Sequence, residues 1–173
     1  VDRSAPITII AIHGGGIEPP TGELARAIAG QVYNHYILRG IRASENEELR
    51  IPASRFEEMR LQALMRRSEI AISLDGAPGD EPKIHAGGRD RWLRTLLQKH
   101  LEEAGFCTGG PAGPGAAHDP SRFYNQPTSG GVHLELTRAL REEMVKGPLD
   151  ASNDENPHRW TESFEAFVKA VRA

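Results

Sequence analysis

A histidine and a glutamate that could bind a metal ion lie five residues apart in the segment His13-Gly-Gly-Gly-Ile-Glu18. Imidazole and carboxylate groups suit zinc, and a zinc site of two or three such ligands keeps an open position for water. The glycines let the backbone turn sharply, so that both side chains can face one point. This spacing predicts half of a metal site, although a strand-end turn with a capping carboxylate is an alternative.

A third candidate ligand is Asp75, which follows a second apolar run at residues 69–74. Polar residues at the carboxyl ends of neighbouring parallel strands meet at one edge of a sheet. Asp75 could therefore complete a site begun by His13 and Glu18. The pair Asp75-Gly76 is also typical of an ordinary turn.

The segment Val132-His-Leu-Glu-Leu136 alternates apolar and polar residues with a period of two. Such a strand directs His133 and Glu135 to one face and its apolar residues to the other. Glu135 is a candidate general base for activating water, and His133 must face wherever Glu135 faces. A solvated strand face is the alternative for both residues.

The glycine-rich turn does not fit two other kinds of site. A phosphate-binding loop is excluded because no Gly-Lys-Ser/Thr or Gly-x-Gly-x-x-Gly follows, and Glu18 would repel a phosphate. A lipase-like oxyanion loop needs a Gly-x-Ser-x-Gly nucleophile turn, which is absent from the sequence. The metal-site interpretation of this turn therefore remains.

Strands and helices alternate along the predicted chain, which indicates an α/β fold with sites at the carboxyl ends of strands. The first strand covers residues 7–12, and a helix follows from Thr21 with Leu24, Ile28 and Val32 on its apolar face. Further helices are predicted over residues 55–67, from an Asp90 cap to Gly105, over residues 138–144, and over residues 160–171.

Two segments lack apolar periodicity. Residues 107–129 are rich in Gly, Pro and small residues, which predicts a long irregular loop, and residues 150–157 read as a polar linker. His85 and His118 are interpreted as surface residues rather than ligands. The loop is expected to form part of the rim of the site.

Composition limits the class of protein. The 173 residues carry a net charge of -3 with no basic stripe, which argues against a nucleic-acid surface. The single cysteine, Cys107, excludes an internal disulfide and a thiolate-rich zinc site. No apolar run could span a bilayer and no signal-peptide pattern is present, so we expect one globular domain over residues 1–173 in the cytoplasm, with no membrane partner.

The sequence resembles the phage-type poly-γ-glutamate hydrolase family, whose members look like compact zinc carboxypeptidases. The resemblance spans nearly the whole chain and is most specific at two motifs, His13-Gly-Gly-Gly-Ile-Glu18 and Gly130-Gly-Val-His-Leu-Glu-Leu136. It implies a mixed open sheet with helices on both faces. It also implies zinc ligands at His13 and Glu18 and a catalytic carboxylate at Glu135.

Two positions depart from the pattern of that family. Asp75 stands where the family has a histidine ligand, and a second carboxylate should weaken the acidification of water and favour harder ions such as manganese. Gln126 follows Asn125 where an arginine is expected, and glutamine cannot clamp a substrate carboxylate with a charged fork.

These observations predict a zinc-dependent hydrolase, a metallopeptidase that cleaves γ-glutamyl amide bonds. His13, Glu18 and Asp75 would bind the metal, Glu135 would activate water, and Asn125, Gln126, His133 and Arg138 would contact the substrate. Two alternatives stay open at this point. One is a catalytically degenerate relative that binds a polymer or a protein, and the other is a deacylase for a neutral amide, which Gln126 would permit.

Overall fold

Six strands form one mixed sheet in the order β2-β1-β3-β6-β4-β5. The computed structural model describes residues 1–111, 119–149 and 159–173. Strands β2, β1, β3 and β6 are parallel, whereas β4 runs antiparallel to β6 and β5 is parallel to β4. The strands are β1 (Ile7–Gly15), β2 (Asn34–Gly40), β3 (Ile70–Ala77), β4 (Ile84–Gly87), β5 (Thr108–Gly109) and β6 (Gly131–Thr137). The predicted mixed open sheet is confirmed.

Helices cover both faces of this sheet, and strand β1 presents apolar side chains to both of them. Ile9 and Ala11 pack toward one side, which also carries apolar residues of the helices α1, α3, α4 and α5. Ile10 and Ile12 pack toward the other side, against α2 and a 3-10 turn at Phe123–Asn125. The helices are α1 (Thr21–Ala29), α2 (Met59–Met65), α3 (Arg91–Glu103), α4 (Arg138–Glu143) and α5 (Glu162–Arg172).

Helix ends follow the capping signals in the sequence. The Asp90 side chain accepts a hydrogen bond from the backbone N–H of Leu93 at 2.9 Å, and this satisfies a free donor in the first turn of α3. After α3, Gly105 has a φ of +91°, a conformation that glycine adopts without a steric penalty. The predicted start and end of α3 are both confirmed.

Several predicted boundaries were wrong. Helix α1 ends at Ala29 because Gly30 follows with a φ of +52°, so Val32 is not on its apolar face and is 57% exposed. The helix predicted over residues 55–67 begins only at Met59, after a 3-10 turn at Ala53–Arg55. Strands β2 and β4 were not predicted, because their short segments mix polar and apolar residues without a clear alternation.

The predicted irregular loop at residues 107–129 has more structure than expected. It begins with β5 and contains the 3-10 turn at Phe123–Asn125, whose first two side chains are buried in the core. His118 and the predicted linker at residues 150–157 lie outside the described residues. None of the helices in the described ranges has the length and apolar content required to cross a membrane.

Candidate metal centre

Three predicted ligands, His13, Glu18 and Asp75, come together at the carboxyl edge of the sheet. His13 lies on β1, Glu18 follows the turn after β1, and Asp75 lies on the adjacent parallel strand β3. One potential ligand atom from each residue lies within 4.8 Å of the others. All three are buried, with exposed fractions of 1%, 7% and 5%. Because burial of three such groups is costly without partners, this cluster is unlike a surface patch of acidic residues.

The turn between His13 and Glu18 depends on its glycines. Gly15 has a φ of +64°, and a side chain at this position would collide with the backbone of Gly40 on β2. The backbone N–H of Glu18 donates to the carbonyl of His13 at 2.8 Å and closes the turn. The chain therefore returns Glu18 to the ring of His13, as the sequence predicts.

The two nitrogens of the His13 ring have different environments. Nε2 lies 2.8 Å from the carbonyl oxygen of Ile51 and donates a hydrogen bond to it. Nδ1 lies 3.0 Å from Glu18 Oε2 and 3.2 Å from Asp75 Oδ1. A carbonyl that accepts from one ring nitrogen fixes the tautomer in which the other nitrogen can bind a metal. Nδ1 of His13 is thus the candidate ligand atom.

In the absence of a metal, a proton holds this cluster together. Burial lowers the pKa of His13, but the contacts and charges of Asp75 and Glu18 outweigh it and raise the pKa to about 10. The imidazolium ring then shares its Nδ1 side with two carboxylates. A divalent cation in the same position would replace this proton.

Glu18 is held as a carboxylate by three donors. Its Oε2 accepts from the backbone N–H of Gly76 at 2.6 Å, and its Oε1 accepts from Nε of Arg50 at 2.6 Å. Burial raises the pKa of Glu18, but its bonds to His13, Gly76 and Arg50 lower it more. These contacts fix the orientation of Glu18 toward His13, as outer-shell groups do at metal sites.

Asp75 has one buried oxygen without a hydrogen bond. Oδ1 forms an ion pair with the protonated Nδ1 of His13 at 3.2 Å but has no hydrogen bond of good geometry among the described residues, while Oδ2 lies 3.6 Å from Nε2 of His133. A buried carboxylate oxygen without a well-formed hydrogen bond is rare in a protein. A metal ion on the Nδ1 side of His13 would be a partner for this oxygen.

Strand β6 places two further predicted residues beside this cluster. Glu135 pairs in register with Asp75, and His133 pairs with Ser73, so both lie next to β3. Nε2 of His133 is 3.9 Å from Oε1 of Glu135. The imidazole ring of His133 stacks on the ring of Tyr124, with the two centroids 4.5 Å apart. The side chain of Glu135 is 25% exposed, against 6% for Asp75. Glu135 is therefore the carboxylate that water can reach.

A cavity of about 760 Å³ opens beside the cluster. Glu18 and Gly76 form the part of its wall that adjoins the candidate ligands. Three arginines also line it, and they are Arg50, Arg138 and Arg141. Three glutamates, Glu18, Glu47 and Glu142, line it as well. Arg50 pairs with Glu18 and Arg138 with Glu142, so the wall carries both charges.

The family of the chain follows from comparison with known proteins. The sequence profile described as poly-gamma-glutamate hydrolase matches residues 1–170. The chain belongs to the poly-γ-glutamate hydrolase family. It is 31% identical to the UPF0714 protein YndL of Bacillus subtilis (strain 168), over 97% of this chain and 69% of that protein. It is also 31% identical to the SPbeta prophage-derived UPF0714 protein YoqZ of the same organism, over 83% of this chain and 53% of that protein.

Solved structures agree with this family assignment. The structure of a bacteriophage poly-gamma-glutamate hydrolase superposes with a TM-score of 0.91 at 25% identity, over 99% of this chain and 84% of that one. A zinc-free, apo structure of YndL superposes with a TM-score of 0.88 at 27% identity, over 98% and 84% of the two chains. The compact α/β fold is thus shared with relatives of this hydrolase family.

The remaining predicted site residues, Arg138, Asn125 and Gln126, have different surroundings. Arg138 is on the cavity wall, where its Nε donates to Glu142 at 2.8 Å. Asn125 is buried, and its side-chain amide bonds to the backbone of Arg89 and Asp119. Gln126 is exposed and donates to the carbonyl of Ser121 at 3.4 Å. Substrate contacts by these residues remain predictions.

Two residues to which the sequence interpretation assigned no role contact the site or its cavity. Arg50 lies in the irregular segment after β2, where no periodic pattern marks it, and it reaches Glu18. Arg141 lies on α4 between Leu140 and Met144, which are buried. An arginine on the buried side of a predicted helix was the available signal, because arginine is almost never buried without a partner. His85, interpreted as a surface residue, is half-buried on β4 and pairs in register with Glu135.

Proposed function

We propose that this protein is a zinc-dependent amidohydrolase that cleaves γ-linked glutamyl amide bonds. The observation that carries the proposal is the placement of Glu135 next to the buried cluster of His13, Glu18 and Asp75. The cluster offers one imidazole nitrogen and two carboxylates, and Glu135 offers a partly exposed base on the adjoining strand. This combination is typical of metal-dependent hydrolysis.

Features of the cluster support a zinc ion as its occupant. The donors are nitrogen and oxygen atoms of the types that zinc binds, and Asp75 Oδ1 is buried without a hydrogen bond. The carbonyl of Ile51 holds the tautomer of His13 that leaves Nδ1 available. The relative YndL has been described in a zinc-free form, which points to zinc in that protein. No comparison supports manganese, which the second carboxylate had suggested.

The residues of this chain would divide the reaction between them. A zinc ion held by His13, Glu18 and Asp75 would polarise the amide carbonyl and acidify a water molecule. Glu135 would accept the proton of the attacking water and deliver it to the nitrogen of the leaving amine. The neighbouring His133, 3.9 Å from Glu135, would orient that carboxylate or the substrate.

The proposed substrate is a chain of glutamate residues linked through their γ-carboxyl groups. The family profile and the bacteriophage hydrolase structure support this substrate class. Asn125, Gln126, His133 and Arg138 are the substrate contacts that we propose from the sequence. Of these, His133 lies against the cluster and Arg138 lines the cavity beside it.

The test is metal analysis of the purified protein together with assays on γ-linked and α-linked glutamyl oligomers. We expect bound zinc in a 1:1 ratio, cleavage of the γ-linked oligomer only, and loss of activity after chelation that zinc restores. Absence of both metal and activity, even after zinc or manganese is added, would refute the proposal.

Two results would instead favour the alternatives. Activity that appears only after the double substitution Asp75→His and Gln126→Arg would indicate a degenerate relative that binds without cleaving. Cleavage of neutral acyl amides in preference to glutamyl oligomers would indicate a deacylase.

A further inference from the structure

Arg141 is a buried cation that forms no ion pair within the part of the chain that the structure describes. Only 9% of its surface is exposed. Its guanidinium donates from Nη1 to the carbonyl of Pro19 at 2.9 Å and from Nε to the carbonyl of Leu136 at 3.3 Å. Within residues 1–111, 119–149 and 159–173, no carboxylate forms an ion pair with it.

Glu18 and Glu142 are the carboxylates whose charges act on Arg141, and both form ion pairs with other arginines. Glu18 pairs with Arg50 at 2.6 Å, and Glu142 pairs with Arg138 at 2.8 Å. Burial lowers the pKa of Arg141, Glu18 and Glu142 raise it, and the charges of Arg138 and Arg50 lower it further. A buried charge without a counter-ion is costly, so a protein that keeps one gains from it elsewhere.

Arg141 lies at the boundary between the cavity and the metal cluster. It lines the cavity of about 760 Å³ together with Glu18 and Gly76. The guanidinium passes beside Gly76, because a Cβ atom added there would lie 3.0 Å from its Cζ. The backbone N–H of the same glycine binds Glu18, which is one of the candidate ligands. A ligand group bound at Arg141 would thus be next to the reacting centre.

We infer that Arg141 binds a carboxylate of the substrate, adjacent to the amide bond that is cleaved, and so selects anionic residues at this position. The guanidinium is suited to this role because its planar set of donors matches the two oxygens of a carboxylate. Arg50 and Arg138, on the same cavity wall, pair with Glu18 and Glu142, so these two carboxylates are bound by other cations and not by Arg141. The inference rests on the proposed hydrolysis of γ-linked glutamyl amides.

Arg141 is better suited than Gln126 to bind a carboxylate of the substrate. In a γ-linked glutamate chain each residue keeps a free α-carboxylate next to its amide bond. Gln126 is exposed and carries no charge, and it cannot bind that group by a charged fork. Arg141 on α4 offers such a fork on the cavity wall, beside Glu18.

The first test uses the zinc-loaded wild-type protein alone. A γ-linked glutamate trimer is compared with the same trimer whose α-carboxylates have been converted to carboxamides. A charged hydrogen bond predicts kcat/KM higher by about tenfold or more for the carboxylate trimer, mainly through KM. Equal kcat/KM values for the two trimers would overturn the inference, whether or not any variant folds.

The second test assigns the preference to Arg141. In Arg141→Met we expect the ratio of kcat/KM for the carboxylate trimer to that for the carboxamide trimer to fall to about one, whatever the absolute rate of the variant. Arg141→Lys should keep part of the preference, because it retains the charge but not the planar fork. Arg67→Met is a matched control, because Arg67 pairs with Asp2 and its side chain is 60% exposed. A folded, zinc-loaded Arg141→Met that keeps the full preference would contradict the inference.

Failure of the proposed function and failure of this inference are distinguishable. If zinc-loaded wild-type protein cleaves neither trimer, the proposed function fails, and calorimetric binding of the two trimers then tests Arg141 by itself. Binding of the carboxylate trimer that is lost in Arg141→Met would still support the inference. Equal binding of both trimers, or no binding, would overturn it.

Discussion

Asp75 and Glu135 face each other across the parallel strands β3 and β6, as partners in the same register. Their exposure differs, because the side chain of Asp75 is 6% exposed and that of Glu135 is 25% exposed. Nε2 of His133 lies between them, 3.6 Å from Asp75 Oδ2 and 3.9 Å from Glu135 Oε1. This register places the buried carboxylate of Asp75, which is suited to binding a metal, beside the more accessible carboxylate of Glu135, which is suited to proton transfer.

Replacement of Glu135 by glutamine should remove activity without removing the metal. Glutamine keeps the size of the side chain but cannot accept a proton, so we expect kcat to fall by about 100-fold to 10,000-fold. Glu135 is not among the three clustered ligand atoms, so zinc content should stay unchanged. Turnover of a γ-linked glutamyl oligomer and metal analysis measure the two effects.

Glu143→Gln is the matched control for this substitution. Glu143 is an exposed residue near the end of α4, and its loss should leave both turnover and zinc content unchanged. Loss of zinc from Glu135→Gln would contradict the division of roles, since it would make Glu135 a ligand.

Two substitutions of Asp75 should separate its effect on zinc affinity from its effect on the acidification of water. Asp75→Asn should weaken zinc binding by at least about 100-fold, more than the loss of an outer-shell group usually costs. Asp75→His should keep zinc and raise kcat, on the order of tenfold, because one anionic ligand fewer leaves more positive charge to acidify water. Zinc titration and turnover measure both variants. Wild-type zinc affinity in Asp75→Asn would exclude Asp75 as a ligand.

The sequence predicted the parts of the site that lie on regular strands. A period of two assigned His133 and Glu135 to one face of β6, and the apolar runs located His13 and Asp75 at the ends of neighbouring strands. These predictions succeeded because a side chain's direction in a strand follows from its position alone. The shared edge then follows from the parallel pairing of β1 and β3.

The parts that the sequence did not predict depend on tertiary contacts. Arg50 reaches Glu18 from an irregular segment that follows β2, and Ile51 contributes only a carbonyl oxygen to His13. No pattern of residue types encodes the path of such a segment. Arg141 was assigned no role, because the position of a single arginine in a short helix does not show that it is buried at the cavity wall.

Gly131 permits a close contact that holds Tyr124 against His133. A Cβ atom at this position would lie 2.5 Å from the carbonyl oxygen of Ala71 and would also collide with that of Tyr124. Both obstacles are backbone atoms, so we expect Gly131→Ala to lower the free energy of unfolding by about 1–3 kcal/mol or more. Thermal or denaturant unfolding measures this loss.

Gly110→Ala is the control for Gly131→Ala. A Cβ atom added at Gly110 has no described neighbour within 4 Å, so this substitution should leave the free energy of unfolding nearly unchanged. Equal stability of the two variants would show that the approach of Tyr124 to β6 does not constrain the fold.

The affinity for zinc should rise steeply with pH. The pKa of His13 is about 10 in the metal-free protein, above its ordinary value of 6.5, so the proton stabilises the metal-free fold below pH 6.5 and this contribution is lost as the pH rises through about 10. Zinc must displace this proton from Nδ1. Between these two pH values we therefore expect the apparent affinity to increase about tenfold per pH unit, with one proton released for each ion bound.

Zinc titration against a competing chelator at several pH values, combined with calorimetry in buffers of different ionisation enthalpy, measures the slope and the proton release. Asp75→Asn is the informative comparison, because it removes one of the two carboxylates that raise the pKa of His13. Because the pKa of His13 is then lower, the increase of zinc affinity with pH should level off closer to neutral pH in the variant, whatever its absolute affinity. A wild-type affinity that does not change across this range would mean that zinc binds without displacing the His13 proton, and His13 could then not be a ligand through Nδ1.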